Sequence, residues 1–187
     1  MIENYKILEG TVRDSYSGVV WSHKIQEKQA DIYAEKYKKM ETLNIVAASL
    51  TSVGIVAMIF TDPLWLKLIS ALISFSTVYI TAYFKSFDLQ KLTSSHKSTA
   101  NKLIAIRDQY KILIMKIKLK ADTVENLVQR YEDLVKKTNE IYLEAPRTSD
   151  KAVERARVAL EVKKDNTFSD EEIDLFLPES LRRETHE

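Results

Sequence analysis

From residue 42 to 61 the chain reads TLNIVAASLTSVGIVAMIFT, twenty positions without a charge, which is the length a helix needs to cross a hydrocarbon layer. A second uncharged run, LISALISFSTVYITAYF at residues 68–84, follows almost at once and extends back to Leu64 if Lys67 snorkels to the interface. The pattern predicts a two-transmembrane helical hairpin. Nine Leu, Ile, Val or Phe side chains in the first run supply roughly −3 to −5 kcal/mol of insertion free energy, partly offset by Asn44, Ser49, Thr51 and Ser52. Thr61, Asp62 and Pro63 form the turn, with Asp62 expected as N-cap and Pro63 at the first helical position. Trp65 and Tyr83, about 27 Å apart on one helix, match the spacing of two interfacial aromatic belts. A soluble bundle with two fully buried central helices is the rival reading of the same runs.

Outside these runs the apolar positions recur every three or four residues. Trp21, Ile25, Ile32, Tyr33, Tyr37 and Met40 predict a helix that starts near Asp14 and enters the membrane directly. After the second run, Leu89, Leu92, His96, Thr99, Leu103, Ile106, Tyr110, Leu113 and Ile117 form a heptad-like seam, so the second span is expected to continue as one long helix. Asp122 with Glu125 reads as a capping box. Val124, Leu127, Val128, Tyr131, Leu134, Val135, Thr138 and Ile141 then predict a return helix ending near Leu143. Beyond a linker at Pro146, residues 151–164 are weakly amphipathic, and Ser169 with Glu172 caps a last segment carrying Ile173, Leu175, Phe176 and Leu177. The fold class is all-α: a two-transmembrane hairpin with long helical extensions forming a bundle or coiled-coil module. Its parts are residues 1–41, the hairpin 42–84, a helical hairpin 85–145 and a tail 146–187.

Both spans carry polar stripes. Ser70, Ser74, Thr77 and Thr81 follow one another at steps of four, three and four, so their hydroxyls share one helical face. Asn44, Thr51 and Ser52 give the first span a similar side, and Gly54 admits close backbone approach. Two readings stay open. Hydroxyls and small residues can glue the two helices together, or they can line a water-filled path in a homo-oligomer, where a ring of hydroxyls would discriminate ions weakly.

Composition sharpens this picture. Only three Gly and three Pro occur, which favours long helices, and the absence of Cys excludes disulfides, thiolate metal sites and thiol nucleophiles. The acidic start Met1-Ile2-Glu3-Asn4-Tyr5 lacks the features of a signal peptide, so targeting is expected from an internal span. Lysines flank the outer ends of the two runs, at Lys28, Lys36, Lys38 and Lys39 and at Lys85, Lys91, Lys97 and Lys102, against Lys67 alone near the turn. The positive-inside rule then places both termini in the cytoplasm. Residues 85–120 carry a net charge of +7 and residues 121–187 one of −6, so the basic helix and the acidic tail are expected to attract each other. Lys85, Lys97, Lys102 and Arg107 are candidate contacts for anions or lipid headgroups, although no Gly-rich phosphate loop marks a pocket. His23, His96 and His186 stand far apart, the acidic cluster Asp170, Glu171, Glu172 and Asp174 reads as helix-dipole complement, and no catalytic motif occurs. Neither an enzyme nor a cofactor is expected, and no nucleic-acid partner.

The string WSHKIQEKQADIYAEKYKKM at residues 21–40, running into LNIVAASLTSVGIV, together with SDEEIDLFLPESLR near the C-terminus, resembles the SLATT family of SMODS and SLOG-associating two-transmembrane effectors. The resemblance covers most of the chain. It implies a pore-forming membrane effector of a bacterial anti-phage or conflict system, located in the inner membrane, working with a nucleotide second messenger or a SLOG or nucleotidyltransferase partner. A membrane-anchored scaffold that recruits soluble partners without conduction is the alternative, and a holin-like lysis protein is a third.

Overall fold

A computed structural model describes residues 2–60, 63–165 and 167–183, with the side chains of residues 2, 57–60 and 85 outside that description. The expected Asp62 cap and His186 therefore lie outside the described residues. Every regular element among those described is helical: α1 (Ile2–Phe60), α2 (Leu64–Ser86), α3 (Leu89–Lys118), α4 (Val124–Glu144), α5 (Asp150–Arg157), α6 (Asp170–Phe176), a π turn (Val158–Val162) after α5 and a 3-10 turn (Glu179–Leu181) after α6.

The first helix is a single rod of 59 residues. It begins twelve positions before the expected start at Asp14, and the boundary drawn between residues 41 and 42 falls inside it. The additional turns exist because Leu8 and Val12 are buried against α3 and α4 and belong to the main apolar cluster, so tertiary packing rather than a local cap sets this end. Helix α2 runs antiparallel to the C-terminal part of α1, and its first residue is Leu64, with Pro63 in extended conformation (φ −80°, ψ 133°) one position earlier than expected.

The expected continuous helix from α2 into α3 is broken. Phe87 (φ −123°, ψ 94°) ends α2, and Asp88 (φ −70°, ψ 80°) starts α3 as its N-cap, its carboxylate accepting from the Lys91 backbone N–H at 2.9 Å. An Asp side chain that satisfies one orphan donor competes with helix continuation. Past this joint α3 packs along the N-terminal part of α1. The seam is buried at Leu89, His96, Thr99, Leu103, Ile106, Tyr110, Leu113 and Ile117, with Leu92 half-buried.

Helix α3 closes without a glycine. Ala121 N–H bonds to the Lys116 carbonyl at 3.0 Å and Lys120 N–H to that of Ile117 at 3.1 Å, the paired bonds of a Schellman turn, which places Lys120 in the left-handed region (φ 48°). Helix α4 is capped by Thr123, whose hydroxyl accepts from Asn126 N–H at 3.3 Å, rather than by the expected Asp122–Glu125 box. Asp122 instead accepts from Thr123 N–H at 2.9 Å and Asn126 Nδ2 at 2.7 Å and pairs with Arg130. Its own carbonyl accepts from the Tyr5 hydroxyl at 2.9 Å, tying the turn to α1. Leu127, Leu134 and Thr138 of α4 are buried. The core therefore lies where α1, α3 and α4 meet, and it is apolar from Leu8 to Val19 of α1.

Candidate functional site

Helices α1 and α2 come close together at Gly54 and Ser70. A Cβ placed on Gly54 would stand 2.7 Å from Ser70 Oγ and 3.9 Å from Ser70 Cβ, so a side chain there would displace the Ser70 hydroxyl. Both residues are buried although most of their neighbours are not. Ser74 and Thr77 continue this side of α2 as half-buried positions, and Thr81 is exposed. On α1, Asn44 and Thr51 are half-buried and Ser52 is exposed. Hydroxyls here turn back on their own helix: Thr51, Ser52, Thr77 and Thr81 donate to the carbonyls of Ala47, Ala48, Ile73 and Thr77 at 2.9–3.1 Å. The buried Oδ1 of Asn44 has no hydrogen-bond partner among the described residues.

Around this seam the surface is apolar. Leu43, Ile45, Val46, Leu50, Val53 and Ile55 of α1 are exposed, as are Leu64, Trp65, Leu68, Leu72, Phe75 and Val78 of α2. Among the described residues one helical stretch, beginning at Leu64, is long and apolar enough to cross a membrane. The lower end of the hairpin is marked by aromatic contacts. Tyr37 and Phe84 rings lie 5.4 Å apart, Tyr83 and Phe87 4.8 Å, and the Lys36 ammonium sits 4.9 Å from the Tyr83 ring centre while also donating to its hydroxyl.

Directly beyond this end lies a polar cluster that sequence reasoning missed. His23, Lys24, Gln26, Gln29 and His96 are all buried. Gln26 Nε2 donates to the Pro146 carbonyl at 3.1 Å, and a carbonyl can only accept. Its Oε1 is therefore left to face His96 Nδ1 at 2.5 Å, which must carry the proton. Gln29 Oε1 accepts from both the N–H and the hydroxyl of Ser149, at 2.8 and 2.7 Å. Glu35 takes a bidentate pair from Arg155 at 2.7 and 2.8 Å, and Lys24 pairs with Glu27 at 3.0 Å and with Asp165 at 3.6 Å. Four points thus fasten residues 146–165 to α1, while Ala152, Ala156 and Ala159 are buried beside it. Burial pushes the His96 and His23 imidazoles below their ordinary value, in His23 against the attraction of Glu27. Burial raises the Glu27 carboxyl, but hydrogen bonds and charge from Lys24 and Lys28 outweigh it and leave it lowered.

This layer was legible in principle. Leu8, Val12, Val19, His23, Gln26 and Ala30 follow at steps of four, seven, four, three and four, which is a seam of α1 facing that of α3. Its polar members hid it from a search for apolar periodicity. Polar residues meeting inside two apolar seams fix which turn of one helix faces which turn of the other.

The candidate anion contacts do not converge. Lys97, Lys102 and Arg107 follow at steps of five residues, about 140° apart around α3, and the Lys85 side chain lies outside the described residues. Lys102 holds Glu144 at 3.0 Å and Arg107 holds Asp108 at 2.9 Å, while Lys97 is exposed. Lys102 also lines a groove of about 440 Å3 with Lys91, Ser94 and Ser98. Among the described residues no cluster of His, Asp or Glu could hold a metal ion.

Fold and surface together define a membrane-associated, all-helical protein with an apolar helical pair on a polar helical module. Residues 8–172 match the family described as SMODS and SLOG-associating 2TM effector domain family 4, and the chain belongs to that family. No curated protein and no solved structure matches it.

Proposed function

We propose that this chain is a membrane effector of a bacterial conflict system that assembles into a homo-oligomeric, signal-gated pore and depolarises the inner membrane. Both apolar runs span the bilayer, the termini face the cytoplasm as the lysine distribution requires, and the hairpin described above is the closed form. The observation that carries this reading is the run of hydroxyls through Ser70, Ser74, Thr77 and Thr81, which passes along a helix otherwise sheathed in exposed apolar side chains. In the closed form Ser74 and Thr77 are half-covered within the hairpin. Rotation of α2 away from α1 turns them toward a lumen shared between copies, with Asn44, Thr51 and Ser52 of α1 on its margin. Lys85, Lys97, Lys102 and Arg107 contact anionic headgroups on the cytoplasmic side. In this reading the trigger is a nucleotide second messenger or a SLOG or nucleotidyltransferase partner; the association with SMODS and SLOG in the family's description supports a partner from such a system.

Ion flux from liposomes containing the purified protein tests this. Wild type is expected to conduct once the trigger is supplied, and Ser74→Leu/Thr77→Leu to lose at least about tenfold in flux at equal helical content and equal reconstitution. Undiminished flux in the double variant removes the stripe from the path. The close approach of Gly54 and Ser70 favours a second reading, in which the stripe only packs helices and the protein is a membrane-anchored scaffold recruiting soluble partners. That reading requires partner binding to persist with no flux from wild type under any trigger.

A further inference from the structure

Two surfaces of the chain outside the hairpin are open and opposite in character. The first is the C-terminal segment. Ser169 and Glu172 form the expected capping box at the start of α6, Arg182 Nε donates to the Leu177 carbonyl at 3.0 Å, and Arg183 pairs with Asp170. These bonds shape the segment, yet they cover little of its apolar surface: Leu175 is 76% and Phe176 82% exposed, and Ile173 and Leu181 are exposed as well. Asp170, Glu171, Glu172, Asp174 and Glu179 outnumber Arg182 and Arg183 and leave the segment with a net negative charge.

The second surface is a groove of about 280 Å3 between α3 and α4, lined among others by Ile112, Leu113 and Leu134 and by Lys116, Arg130 and Lys137. Leu113 and Leu134 form a buried floor, while Ile112 on its wall and Met115 nearby on α3 are exposed. Arg130 reaches Asp122 at 3.2 Å, and Asp133 is the one acidic residue of the lining.

We infer that the acidic, apolar C-terminal segment of one copy seats in the basic α3–α4 groove of a second copy, joining neighbouring subunits through their polar modules. Charge complementarity selects this occupant: a short helix presenting Ile173 and Phe176 amid carboxylates meets an apolar floor rimmed by cations. An anionic lipid surface would repel the same segment. In the structure the segment does not occupy the groove of its own chain, since no residue of 167–183 lines it. Asp165 is anchored at Lys24 of α1, whereas no residue of α1 lines the groove. The capping box and the Arg182 and Arg183 contacts pre-form the segment, which lowers the ordering cost of docking. This contact is independent of whether the hairpin conducts.

The native chain has no Cys, so single cysteines report proximity without background. Phe176→Cys and Ile112→Cys are both exposed positions, and the two full-length variants are purified separately, mixed in detergent and reconstituted together under mild oxidation. A mixed disulfide dimer is expected, because a bond between different variants can form only between copies. Phe176→Cys paired with Leu143→Cys, an exposed position outside the groove lining, is expected to give none. Adding Lys116→Glu/Lys137→Glu to the groove partner should lower the dimer yield at least about fivefold, and Asp174→Lys/Glu179→Lys on the other partner, which leaves the capping box intact, should restore it. Three results overturn the inference: no mixed dimer, equal bonding to Leu143→Cys, or bonding only inside a chain carrying both Phe176→Cys and Ile112→Cys.

Discussion

His96 shows how one buried side chain links chain register to pH. Its ring is packed 5.5 Å from that of Tyr33 and bonded to Gln26, and burial lowers its tendency to take a proton. His23 is lowered for the same reason, with Glu27 and Asp108 attracting its charged form and Lys24 and Arg107 opposing it. In the unfolded chain both imidazoles titrate near their ordinary value of 6.5. The unfolded state therefore binds more protons over the interval between the lowered folded value and 6.5, and stability falls as pH drops through that interval. Above it the contribution is fully present. Thermal melting in detergent is expected to show a lower Tm at pH 5.5 than at pH 7.5, with a smaller difference for His96→Gln. An unchanged difference in that variant would assign the acid sensitivity to other groups.

At the scale of elements, the α3–α4 turn and the α2–α3 joint are informative because neither uses glycine. The α3–α4 turn puts Lys120 at φ 48°, a conformation that costs a side-chain-bearing residue about 1–2 kcal/mol. Lys120→Gly removes that strain and adds backbone freedom to the unfolded chain, so a net gain of about 0.5–1 kcal/mol is expected, read as a raised Tm. A lowered Tm would mean that the Lys120 side chain contributes more than its backbone strain costs. The same turn and joint explain what the sequence concealed. Heptad spacing from Leu89 to Ile117 located the buried face of α3 because packing repeats along it. The joint at Phe87 and Asp88 left no mark in that spacing, since an Asp continues a polar stripe and caps a helix equally well. The polar layer was hidden for the converse reason. Gln26, Gln29 and Lys24 carry the composition of a solvated face, and their burial depends on partners at Pro146, Ser149 and Asp165, more than a hundred positions away.

For the whole molecule, the dominant feature is the contrast between a hairpin whose large apolar side chains face outward and a module whose apolar side chains face inward. Exposed apolar area of that extent is stable only when lipid or detergent covers it. The full-length protein is expected to stay with the membrane fraction after alkaline carbonate extraction, and its release into the supernatant would contradict bilayer insertion. The two arms of the hairpin also differ mechanically. One arm is the upper part of α1, with no break between the polar module and the apolar region. At 59 residues this rod is about 88 Å long. The other arm, α2, is articulated at Phe87 and Asp88. A tilt applied near Leu8 is thus delivered by a crank: α1 swings as one stiff shaft, and the elbow beneath α2 lets the second arm lag behind it. Any torque on the module becomes shear between the two arms, along a seam that includes Gly54 and Ser70.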